Sequence, residues 1–346
     1  MNESGSNPNQ CRIIVDAMGG DFAPENTVLG AVQAQSEKPN IEVYLAGDSK
    51  LILDVLTSEN LTFKKERIIH AEQKIEMNDS PTISLKTKPS SSLVVGAKWV
   101  RDKKAEALVS AGNTGAMMAA STLIIGRIPG VGRPTIGAEM PSMKGICYLY
   151  DVGAGKDAKP SHLFEYAIMG SIYAREVGGV ENPSIGVLSM GEEEGKGNEV
   201  SEEAARLLKN SKLNFIGNVE GRDILEGKAD VVICDGFVGN IILKFGESIP
   251  KFLRYLLQQT AKKSFFDKLK IALTRGSLRK ALKVLDYQEY GGVPLLGVNG
   301  ISIIGHGSST PKAIKNMVFR AYEIHTKNLI NKIENSIKQY SNKSGG

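Results

Sequence analysis

Cys11-Arg12-Ile13-Ile14-Val15-Asp16-Ala17-Met18-Gly19-Gly20-Asp21, with Pro24 and Glu25 soon after, decides the fold class of this chain. A β-branched run ends at a carboxylate and two glycines permit a tight turn. Pro24 and Glu25 then open a helix expected to reach Glu37, because proline suits a first helical turn. The same strand, turn and helix grammar recurs in IEVYLAG (41–47), RIIHA (67–71), ALVSAG (107–112), GICYLYDVG (145–153), SIGVLSMG (184–191), ADVVICDG (229–236) and GISIIGHG (300–307). Helical patterns run from Thr114 to about Gly126, from Pro160 to about Gly178, and from Pro311 past His325. The alternation predicts an α/β fold, a largely parallel sheet with helices on both faces.

The 346 residues, 41% of them hydrophobic, can bury a large core. No apolar run is long enough to span a bilayer, and MNESGSNPNQ lacks the apolar centre of a secretory signal, so the cytoplasm is the expected compartment. Cys11, Cys147 and Cys234 show no CxxC spacing, which argues against a disulfide framework or a zinc site. Between Lys251 and Lys283 lie ten Lys or Arg residues and one acid, Asp267. The rest of a chain of net charge +5 is therefore slightly acidic, which disfavours nucleic-acid binding. Residues 1–10 and 334–346 read as polar tails around a single two-lobed catalytic unit over 11–333.

Most strand candidates end in small or polar residues just before a helix, the arrangement that offers backbone N–H groups to an anion. Asp16-Ala17-Met18-Gly19-Gly20-Asp21 is not GxGxxG, so a dinucleotide fingerprint is not supported, and Asp21 can equally be a helix cap. Ser110-Ala111-Gly112-Asn113-Thr114-Gly115 leaves room for a phosphate-sized ligand, although Asn113 or Thr114 also suits a cap. His306, between Gly305 and Gly307 and followed by Ser308 and Ser309, is accessible and polar. His70, His162 and His325 have no such setting. Gly153-Ala154-Gly155-Lys156 lacks Walker spacing, Glu192-Glu193-Glu194 reads best as a solvated helix start, and Cys234 continues an apolar run as a buried thiol would.

DAMGGD (16–21), SAGNTGA (110–116), GEEEGKGNE (191–199), DGFVGN (235–240), DYQEYGGVPLLGVNG (286–300) and GHGSS (305–309) together resemble the bacterial phosphate acyltransferase family of phospholipid synthesis, over about residues 11–333. The resemblance implies a fold similar to isocitrate and isopropylmalate dehydrogenases and to phosphotransacetylases, and a homodimer. It also implies acyl-acyl carrier protein and inorganic phosphate as substrates. Two departures stand out: Phe22 where the family often has His, and Gly155 where it tends to have Asn.

Phosphate is itself a nucleophile, so this activity needs no covalent intermediate, cofactor or metal. Catalytic roles are expected for Asn113, His306 and Lys159. Phosphate or substrate contacts are expected for Asp16, Gly19, Gly20, Lys88, Ser110, Thr114, Asp235, Asn240, Asn299, Ser308 and Ser309. A nicotinamide-linked, metal-assisted dehydrogenase and a non-catalytic acyl-carrier or lipid binding module are the rivals. The basic segment predicts an amphipathic helical hairpin over 247–286, opening at Pro250 and interrupted at Gly276. Phe265, Phe266, Leu269 and Leu273 would touch an anionic membrane, near the membrane acyltransferase that consumes the product.

Overall fold

The computed structural model describes residues 10–155, 157–282 and 291–341. Its first half comprises β1 (Cys11–Asp16), α1 (Glu25–Glu37), β2 (Ile41–Gly47), α2 (Ser49–Ser58), β3 (Ile68–His70), α3 (Pro81–Thr87), α4 (Ser92–Arg101), β4 (Ala107–Ser110) and α5 (Thr114–Ala120). The middle adds β5 (Thr135–Ser142), β6 (Gly145–Tyr150), α6 (Pro160–Glu176), β7 (Ile185–Leu188), α7 (Glu199–Lys209), β8 (Phe215–Val219), α8 (Gly221–Glu226) and β9 (Val231–Ile233). Then come α9 (Gly236–Lys263), α10 (Phe265–Leu282), β10 (Val293–Leu296), β11 (Ile301–Ile304), α11 (Pro311–Thr326) and α12 (Leu329–Ser341).

Among the described residues eleven strands form one sheet in the order β3-β2-β1-β4-β11-β10-β5-β6-β9-β7-β8. Alternate residues of each strand feed opposite faces: Ile13 and Val15 face the side covered by α1 and α11, whereas Ile14 faces the side covered by α4. Both faces are covered, as a sheet of near-continuous apolar strands requires.

The centre departs from the parallel expectation. β11 to β10, β10 to β5 and β5 to β6 are all antiparallel, while the strands on either side pair in parallel. Three reversals turn the second half over, so β6 and β9 end at the sheet edge opposite to that where β1, β4 and β11 end. β5 meets β10 at two positions only, Ile136 opposite Leu295 and Thr135 opposite Leu296, yet follows β6 from Gly137 to Ser142. Pro294, next in line on β10, brings no N–H to that ladder, and the sheet splits there.

Several expected boundaries are corrected. Pro250 does not open a helix. It lies inside α9, which Asp235 has already started by accepting the Phe237 and Val238 N–H groups at 2.9 and 3.0 Å. Gly276 lies within α10. Ser264 alone parts the two helices, its Oγ accepting from the Phe266 N–H at 3.1 Å, and the helices pack on one another. The last residues expected in this segment, 283–286, lie outside the described ones. Residues 334–341 are not a tail: α12 places Leu329, Ile333 and Ile337 on one buried side, and Tyr340 stands edge-on to Phe164 at 5.4 Å. The expected tail at residues 1–10 lies outside the described residues except for Gln10.

Candidate active site

Three loops meet where β1, β4 and β11 end side by side. Ser110 Oγ donates to Asp16 Oδ2 at 2.8 Å and accepts from the Gly112 N–H at 3.1 Å. Asp16 is buried, and burial raises its pKa against the opposing hydrogen bonds of Ser92 and Ser110. A Cβ on Gly19 would stand 2.6 Å from Asp16 Oδ2 and 2.8 Å from Ser110 Oγ, so only glycine permits this approach. Gly20 turns at φ +119°, which lets the Asp21 N–H donate to Gly307 O at 2.8 Å and fastens the first loop to the third.

Asp16, Gly19, Gly20 and Ser110 therefore come together as expected, but as a locked web whose polar groups serve one another. Asn113 differs more sharply from expectation. Its Nδ2 donates to the carbonyls of Glu76, Met77 and Asp79 at 3.2, 3.0 and 3.0 Å, and its Oδ1 caps α5 by accepting from the Ala116 N–H at 3.0 Å. That side chain clamps loop 76–79 to the helix start and leaves no donor for phosphate. Lys88 belongs to the same loop system, paired with Asp79 at 2.5 Å, and the pairing holds the Asp79 carboxyl below its ordinary range.

His306 is exposed at the end of β11. The Ser308 N–H donates to its Nδ1 at 3.2 Å, and Ser308 Oγ lies 2.7 Å from the same atom. With Nδ1 an acceptor, the ring proton of the neutral tautomer sits on Nε2. Ser309 is buried and shapes the turn, its Oγ donating to His306 O at 2.6 Å.

The remaining expected residues sit elsewhere. Asn299 lies in the turn before β11, at the far end of that strand from His306, where its N–H donates to Gly126 O at 2.8 Å. Lys159 is exposed at the start of α6, its N–H donating to His162 Nδ1 at 3.2 Å, and it lies beyond the opposite sheet edge with Asp235. Asp235 is a helix cap. Between these strand ends Asp151 is buried and accepts from the N–H groups of Ile136, Gly153, Ala154 and Gly155, so the loop is built around a carboxylate. At Gly155 a Cβ would meet the Arg133 guanidinium at 2.2 Å. Glu192 and Glu194 pair with Lys228 and Lys209, both at 2.7 Å, which makes them solvated partners. Cys234 is buried, and burial pushes its thiol well above its ordinary pKa.

The split in the sheet opens a cavity of about 370 Å³. Its floor is Ile136, Ala138 and Met140 of β5 with Val293 and Pro294 of β10, and Leu243, Gly246 and Ile249 of α9 form one wall. Thr114 and His306 stand on its polar rim, and Asn240 beside Gly153 lies at another part of its lining. Sequence reasoning missed these walls. The signal was the period-two apolar run Ile136, Ala138, Met140, obscured by Gly137 and Pro141.

A family model described as fatty acid synthesis protein matches residues 11–332. A phosphate acyltransferase of Halothermothrix orenii is 45% identical over 336 residues, covering 96% of this chain and 99% of its own. One from Chlorobaculum parvum is 48% identical over 319 residues, covering 89% and 94%. The fold is also that of a phosphotransacetylase from Streptococcus pyogenes, with TM-score 0.60 at 17% identity and coverage of 92% and 94%. With the family model and these relatives spanning nearly its whole length, the chain is an acyltransferase that belongs to the fatty acid synthesis protein family, among the bacterial phosphate acyltransferases.

Proposed function

We propose that this enzyme transfers a long-chain acyl group from acyl-acyl carrier protein to inorganic phosphate, making the acyl phosphate that feeds phosphatidic acid synthesis. One observation carries the reading: an apolar cavity opens onto a rim bearing Thr114 and His306, so a hydrocarbon tail and a reacting head group each find matching surroundings. A phosphate oxygen attacks the thioester carbonyl, a tetrahedral oxyanion forms, and its collapse expels the carrier's thiolate. No enzyme nucleophile takes part, in keeping with the buried state of Cys234. His306 is the catalytic residue, its Nε2–H directed at phosphate or the oxyanion while Ser308 fixes the ring. Thr114 binds phosphate at the rim. Asp16, Gly19, Gly20, Ser110 and Asn113 position the loops, and Lys88 acts through its pair with Asp79.

The exposed apolar side chains on the two long helices fit further partners. Along α9, Phe237, Ile241, Phe245, Phe252 and Leu256 are 61, 54, 70, 60 and 43% exposed at near-helical spacing, a stripe suited to a second copy of the chain. On α10, Phe265, Phe266, Leu269 and Leu273 are 75, 72, 48 and 78% exposed among basic residues, as an anionic bilayer surface would require. No described helix is long and apolar enough to cross a membrane. In this reading the enzyme works in the cytoplasm as a homodimer at the membrane surface, close to the acyltransferase that uses its product.

Mixing the purified protein with acyl carrier and phosphate, then trapping with hydroxylamine, tests the reaction. Release of carrier thiol with acyl hydroxamate in proportion to phosphate is the expected result. Hydroxamate formation indifferent to phosphate would refute it.

A further inference from the structure

We infer that Gly246 and Met140 gauge the length of the acyl chain, a deepening of the acyl-transfer reading on which it rests. Glycine inside a 28-residue helix is an unfavourable choice that needs a reason. The usual reasons fail here. Gly246 is not among the glycines with positive φ. Nor does it bring two backbones together, as Gly239 does, where a Cβ would lie 1.8 Å from Asp151 O. Pro250, four residues on, crowds the Gly246 carbonyl, which every residue type would carry. A Cβ built at 246 meets one atom within 4 Å, Met140 Cε at 3.0 Å, the far end of a flexible side chain.

Both residues line the cavity. What glycine provides at 246 is therefore room for the Met140 methyl against the cavity wall, and that thioether is an adaptable stop. A branched side chain at 246 would fill the space that the hydrocarbon needs. Truncating Met140 would enlarge it.

The test measures kcat/KM for carriers bearing C8 to C18 chains with wild type, Gly246→Leu and Met140→Ala, alongside titration of each protein with the fluorescent fatty acid cis-parinarate. Gly246→Leu should lower the C16 to C8 ratio at least about tenfold, the scale on which hydrophobic pockets discriminate by size, and should weaken parinarate binding. Met140→Ala should shift the preference towards longer chains. Equal loss across all lengths, or an unchanged ratio in both variants, overturns the inference, provided that melting curves show both folded. If wild type gives no phosphate-dependent product, the reaction assigned above fails instead. The gauge is then judged on parinarate alone, and equal affinity in wild type and Gly246→Leu overturns it.

Discussion

Asn113 commits both polar atoms of its side chain to the protein itself, and replacing it tests what that arrangement contributes. Asn113→Ala removes a helix cap and strands three loop carbonyls, so it should cost about 2–4 kcal/mol of stability, read from urea unfolding. Turnover per folded molecule should fall much less. From sequence alone the residue pointed at a ligand, because SAGNTGA reveals a polar group near a helix start. It does not reveal that a loop more than thirty residues earlier folds over it. The exposure of His306 was legible for the converse reason: in a glycine-flanked turn at a strand end, no neighbouring side chain in sequence covers the ring. His306→Ala should lower turnover about a hundredfold with its urea midpoint unchanged, and a phosphate titration showing wild-type turnover would remove it from the reaction.

The elements were legible where propensity and environment agree. Eight strand candidates are all strands, most of them β-branched or aromatic runs buried along their length, although β3 at the sheet edge is only half-buried. β5, β8 and β10 were not: β8 went unread, and in β5 and β10 Gly137, Pro141 and Pro294 read as turn residues, since proline argues against an interior strand. Pro294 is tolerated because β5 and β10 part above Ile136, so its missing donor leaves no β5–β10 ladder incomplete. That omission also misplaced Lys159 and Asp235, since an unseen reversal moves the ends of β6 and β9 to the other edge. α9 and α10 carry an expectation of their own. Wild-type protein should float with anionic liposomes at low salt and less at high salt, and Phe265→Asp with Leu269→Asp should sediment under both conditions. Equal flotation of the two proteins would argue that α10 meets something other than lipid.

Across the whole molecule, the two halves of the sheet are pinned together by a half-buried ionic network. Glu139 of β5 pairs with Arg320 of α11 at 2.9 Å and accepts from Tyr173 Oη of α6 at 3.0 Å, so one carboxylate joins elements of both halves. Burial raises the Glu139 pKa and Arg320 opposes that rise. Arg320→Ala should destabilise by about 2–3 kcal/mol, because it leaves a largely buried carboxylate without its cation, whereas Glu139→Leu with Arg320→Leu should recover much of the loss in the same urea measurement. The central placement of β10 and β11 reaches further, into the making of the protein. At roughly 5–20 residues per second, a ribosome that has released β4 needs on the order of 10–40 s more to deliver β11. Throughout that interval β4, joined by β5 once it emerges, presents an open backbone edge of the kind that recruits other chains, although both are interior strands of the finished sheet. The nascent chain must be sheltered until the closing strands emerge, and a message broken before codon 293 yields an aggregate in place of half an enzyme.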